Sequence, residues 1–113
     1  MNPASAFGLV TNLDQQFSRL ETVWSPKVIA ETEDYKVIIL LAEGEFIWHT
    51  HEDEDKLFMV TDGELFIDFR NGERVSIKQG EFFIVPKGEE SKPWSEVRTR
   101  LLLIEPVIAG KGQ

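Results

Sequence analysis

The sequence predicts an all-β domain, a closed or rolled antiparallel barrel preceded by one short helix, and three observations carry that prediction. From Trp24 onward, short runs rich in Val, Ile and Phe follow one another. Gly, Asn and Asp interrupt them every eight to twelve residues, the spacing of strands joined by turns. No helical pattern separates them that could serve as a βαβ crossover. Nine strands are expected, near residues 27–31, 35–42, 45–50, 55–61, 64–70, 73–77, 82–85, 88–92 and 98–105. Many short strands with apolar residues on both faces favour closure, because a barrel removes exposed sheet edges.

Taken in order, the elements have local reasons. Asn12 can cap a short helix in which Leu13, Phe17 and Leu20 recur on one face. Asp62-Gly63 and Asn71-Gly72 tolerate positive φ, so both are expected as type I′ hairpin turns. Alternation puts Leu65, Ile67 and Phe69 on the core side of their strand and Phe66, Asp68 and Arg70 on the other. In the 45–50 strand, the same rule places Ile47 with His49 and His51, leaving Phe46 and Trp48 on an apolar outer face that a partner must cover. A homodimer is therefore expected, built on that patch.

The 113 residues suffice for one domain, divided as an N-terminal arm with the helix at 1–23 and the barrel domain at 24–113. Hydrophobic residues at 42% against 28% charged place the chain among globular proteins. Without cysteine, disulfides, thiolate metal sites and a cysteine nucleophile are all excluded. The longest apolar run, 37–42, is far below the roughly 20 residues that span a bilayer. A cytoplasmic location is the expectation. A formal charge of −8 repels polyanions, so neither nucleic acid nor an anionic membrane is an expected partner. The acidic run Glu52-Asp53-Glu54-Asp55 lacks calcium-loop spacing and reads as a solvated loop. Trp24, Trp48 and Trp94 read as core or interface residues.

The two histidines of the chain stand as His49-Thr50-His51, and on a strand i and i+2 point to one side, within reach of one small object. Downstream come HEDEDKLFMVTDGEL and GEFFIVPKGEESKPW. Together these resemble the two motifs of the cupin superfamily, with Gly80, Pro86 and Gly88 matching the second and Gly63 closing the first. The phrases WSPKV, VPKG and LLLIEP resemble small single-domain cupins of the mannose-6-phosphate isomerase-like kind. The resemblance implies a double-stranded β-helix, a jelly-roll barrel whose open end holds a ligand. It also implies a metal ligand set of which only His49 and His51 are present. Lys56 stands at the glutamate position, Ser91 at the third histidine and Ser95 at the motif's final asparagine, while Gly44 is one residue too close to His49.

Two imidazoles alone hold a divalent transition metal weakly, and an inward Lys56 ammonium repels it by several kcal/mol. Asp55 could replace the glutamate only through a bulge, since parity puts it with Leu57 and Met59. Without a metal, His49, His51, Lys56 and Ser91 outline a pocket that suits a small ligand such as an anion, with Lys56 as the fixed positive charge. Otherwise Lys56 reaches water or pairs with Glu90 or Glu54. The expected function is small-ligand binding with no tightly held cofactor; no catalytic residue is assigned. The alternatives are a metal-dependent isomerase, epimerase or dioxygenase using His49 and His51, and a purely structural subunit.

Overall fold

The structure, a computed structural model, describes residues 8–107. Eight antiparallel strands form the barrel: β1 (Lys27–Glu31), β2 (Tyr35–Glu45), β3 (His49–Thr50), β4 (Lys56–Asp62), β5 (Glu64–Phe69), β6 (Arg74–Lys78), β7 (Phe82–Val85) and β8 (Glu90–Pro106). One helix, α1 (Leu13–Ser18), precedes them, and Asn12 Oδ1 accepts the Gln15 N–H at 2.9 Å as its cap. Phe17 is buried from α1 against Ile39 and Leu41 of β2.

The strands expected at 88–92 and 98–105 are one 17-residue strand, β8. Its C-terminal half lies between β2 and β4, and its N-terminal half pairs with β3 and β5. Continuity survives because residues 96–98 bulge out between Ser95, opposite Gly44, and Thr99, opposite Ala42. The Ser95 and Thr99 hydroxyls lie 2.8 Å apart beneath the bulge, and Thr99 Oγ1 accepts the Glu64 N–H at 3.1 Å. Inside the barrel, Leu40, Val60, Leu65, Ile67, Ile77, Val85 and Leu101 form the main core. The alternation expected for β5 holds, with Leu65 and Ile67 buried and Phe66 stacked outside on Trp94 at 4.4 Å.

Both turn expectations need correction. Asp62-Gly63 joins no hairpin, since β4 and β5 do not pair; it is the corner where the chain passes from one half of β8 to the other. Asn71-Gly72 does join the β5–β6 hairpin, but in a longer loop. The Gly72 N–H donates to the Phe69 carbonyl at 3.0 Å and Phe69 N–H to Glu73 O at 2.9 Å, while Asn71 keeps a negative φ. That is a three-residue loop with a glycine bulge rather than a type I′ turn.

Gly63 and Gly72 share a positive φ, +97° and +94°, yet only Gly63 has a neighbour: a Cβ there would come within 3.0 Å of Thr99 Cα. Gly72→Ala should therefore cost about 1 kcal/mol, the left-handed strain alone. Gly63→Ala should cost about 2–4 kcal/mol, because strain adds to displacement of the Thr99 backbone. Urea unfolding of the two variants is the check, and equal losses would remove Gly63 from its assigned role.

Candidate functional site

The site is built on the segment between β2 and β4. Glu45 pairs with Trp94 and His49 with Ser91, so three residues, 46–48, face only two on β8. One extra residue reverses the parity. Phe46 therefore joins the histidines inside the barrel, and Ile47 is left 62% exposed. The expected Phe46–Trp48 outer face does not exist. Phe46 stacks on Trp24 at 5.0 Å, edge-on to His49 at 5.4 Å. Trp48 lies outside with two cations against its ring, Arg70 at 3.9 Å and Lys92 at 5.5 Å from the centroid. Arg70 and Lys92 are tied in turn to Glu90 and Glu45, both at 2.7 Å. That clamp holds the bulged segment in place.

A cavity of about 220 Å³ opens inside the barrel. Trp24, Ile38, Leu40, Phe46, Phe58, Leu101 and Leu103 supply apolar walls, and His49, His51, Lys56 and Glu105 supply the polar groups. Trp24 adopts the left-handed region, φ 58°, held there by its N–H on Leu41 O at 2.7 Å and its indole N–H on Glu43 O at 3.0 Å. Three of the four expected pocket residues, His49, His51 and Lys56, line this cavity. Ser91 is buried opposite His49 but does not line it.

One neighbour of Lys56, Glu105, was not assigned from the sequence, whereas Glu54 was among its expected partners. Lys56 is 9% exposed and its ammonium lies 3.6 Å from Glu105, rather than in water or against Glu90. Glu105 shares the inward parity of Leu101 and Leu103 on β8, so an acid on the apolar face of LLLIEP was the available signal. Glu54 joins the group: burial raises its pKa, the Glu105 carboxylate adds to the rise and hydrogen-bonds to it, and Lys56 works the other way.

The imidazoles are ordered. His49 Nδ1 lies 3.0 Å from the Ile47 carbonyl, which can only accept, so this nitrogen carries the hydrogen. A neutral His49 then presents the Nε2 lone pair, and His51 Nε2–H donates to it across 3.1 Å. Burial, with the Lys56 ammonium as the second cause, holds the His51 pKa down at about 4 from 6.5.

A resident transition metal does not fit these residues. The two Nε2 atoms converge, but Asp55 is turned away to accept the Lys87 N–H at 2.9 Å. Glu105 is paired with Lys56, whose ammonium occupies the glutamate position. Among the described residues no group of three or more His, Asp or Glu is placed to hold an ion.

His51 also sets a pH dependence. Its folded pKa of about 4 is below the unfolded 6.5, so in that window the unfolded chain binds the additional proton and stability falls as pH is lowered. The raised pKa of Glu54 acts with the opposite sign, so the effect is read against His51→Gln. Between pH 7 and pH 4.5 the natural chain should lose on the order of 1–2 kcal/mol relative to that variant, allowing for solvent screening. Urea titrations at several pH values measure it, and an imidazole NMR titration with a midpoint near 6.5 would contradict it.

Comparison with known proteins agrees with this architecture. The family model described as Cupin domain matches residues 36–105. Protein YdbB of Bacillus subtilis, itself uncharacterised, is 40% identical over 77 residues, 68% of each chain. A crystal structure of a cupin-2 domain protein from Shewanella frigidimarina is 41% identical, covering 87% of this chain and 95% of that one, at a TM-score of 0.83. A Neisseria meningitidis protein is 31% identical over 87% of this chain and 99% of that one, at 0.82. Hydroquinone 1,2-dioxygenase from Sphingomonas superposes at 0.81 with 22% identity, covering 93% of this chain and 35% of that one, which carries the fold alone. With the family model spanning most of the barrel and the inward HxH pair at its interior, the chain belongs to the cupin family.

Proposed function

We propose that the barrel binds a small, largely apolar molecule of about one ring in size, with an uncharged hydroxyl or carbonyl head at the histidine end, and that it does so without a tightly held metal. One observation supports this reading above the others: the cavity walls are apolar, and the one buried cation at the polar end already has Glu105 as its counter-charge. The volume, about 220 Å³, is of the order that takes a substituted benzene. A permanent anion would have to displace Glu105 from Lys56, whereas a hydroxyl can donate to the Glu105 carboxylate that lines the cavity and a carbonyl can accept from Lys56. This reading puts a neutral head in place of the anionic ligand expected from the sequence. A metal-dependent enzyme would need a third donor beside His49 and His51.

Phenol, toluene and benzoate form a test series followed by NMR of the histidine rings. Phenol should bind with a Kd on the order of 0.1–1 mM and both other compounds more weakly. Phe58→Trp, which fills the cavity, should abolish binding while near-ultraviolet circular dichroism stays native. Benzoate binding more tightly than phenol would restore the anionic reading.

Calorimetric titration with Zn²⁺ or Ni²⁺ addresses the metal. One equivalent taken up more tightly than about 1 µM would mean that a third donor completes the site and would overturn the metal-free reading.

A further inference from the structure

We propose that two copies of this chain pack face to face through the outer surface of β8, β4 and β7. Ladder pairing aligns Ile104, Leu57 and Ile84 in one row and Leu102, Met59 and Phe82 in the next. The inward residues of these strands, Phe58, Val60, Val85, Leu101 and Leu103, are in the core, so the two rows are the opposite face. Antiparallel sheets that face water on one side carry polar residues there. This one is apolar on both.

α1 covers the Ile39 and Leu41 corner and stops there. Phe82 stays 59% exposed, Ile84 46% and Ile104 37%, with Leu57, Met59 and Leu102 half-buried. Val37, half-buried, and Tyr35, 44% exposed, continue the surface onto β2 beside Ile104 and Pro106.

The area argues for a second copy. At about 100 Å² for an exposed aliphatic side chain and about 200 Å² for an aromatic one, the patch presents roughly 350 Å² of apolar surface. A stable interface buries about 800 Å² per partner, an apolar centre surrounded by a polar rim. The patch is of a size for such a centre. Charge argues the same way: none of the six side chains ionises, so two chains of net charge −8 meet here with no like-charge pair at the middle. A twisted sheet face can meet a second copy of itself about a two-fold axis, and two such faces pack about 10 Å apart at roughly 30°. The homodimer expected from the sequence thus moves from the vanished Phe46–Trp48 patch to this face.

Light scattering on the full chain at micromolar concentration should give twice the 13.0 kDa chain mass. Phe82→Lys together with Ile84→Lys should raise the dimer Kd at least about 100-fold with an unchanged far-ultraviolet spectrum. Ile47→Lys, exposed but off this face, should leave the dimer intact. Should the double variant fail to fold, Ile84→Lys alone and the concentration dependence of the thermal midpoint of the natural chain give the same readout. A monomeric natural chain, which would leave the face to another partner, overturns the proposal. So does a dimer indifferent to both lysines. Neither outcome bears on the pocket, which the phenol series tests separately.

Discussion

The architecture depends on one constraint, that a single strand serves both halves of the barrel. β8 spans 17 residues and hydrogen-bonds with β2 and β4 along its C-terminal half and with β3 and β5 along its N-terminal half. A regular strand of that length would twist out of one sheet or the other. The 96–98 bulge lets it change direction, and Ser95 and Thr99 supply buried hydroxyls where the ladder is interrupted. The corner at Gly63 packs directly on Thr99, so the turn out of β4 and the bend in β8 are parts of one device. Ser95 stands at the position of the motif's final asparagine, and its hydroxyl donates to the Glu64 carbonyl at 2.7 Å.

A second irregularity, the additional residue at 46–48, makes the pocket what it is. In unbroken pleat, Phe46 would face solvent and the cavity would lack its stacked Trp24–Phe46 wall. The bulge costs ladder hydrogen bonds, and part of the compensation lies outside the barrel, where Arg70 and Lys92 both approach the Trp48 ring. Carboxylate partners on both cations keep this charge-balanced in an acidic chain. A residue remote from the cavity thus helps fix the backbone that presents His49.

Inside, one substitution relative to the family pattern determines much of the rest. A buried lysine needs a counter-charge, because desolvating an unpaired ammonium costs several kcal/mol. Glu105 provides it, and Glu54, hydrogen-bonded to Glu105, is held toward its protonated form. The same ammonium and the same burial disfavour a charged His51. The polar end of the cavity is therefore internally compensated. The structure brings together a lysine–glutamate pair, a second carboxyl and two hydrogen-bonded imidazoles where a metal's ligand set would otherwise be completed.

Periodicity by itself determined most of the strand content, the capped helix and the core face of β5, because each depends on residues adjacent along the chain. The spacing of Gly63, Gly80, Pro86 and Gly88 led to the family. Tertiary structure alone decided what depends on counting residues across two strands. The continuity of β8 joined two expected strands, the Asp62-Gly63 corner replaced a hairpin, and the 46–48 bulge turned Phe46 inward and Trp48 onto its cations. Glu105 became the partner of Lys56 for the same reason. Their separation of 49 positions is bridged by the β4–β8 ladder, in which Leu57 faces Ile104, and no local pattern in either strand records it. Alternation specifies on which side of a strand a residue lies; a one-residue slip between strands specifies what it meets there.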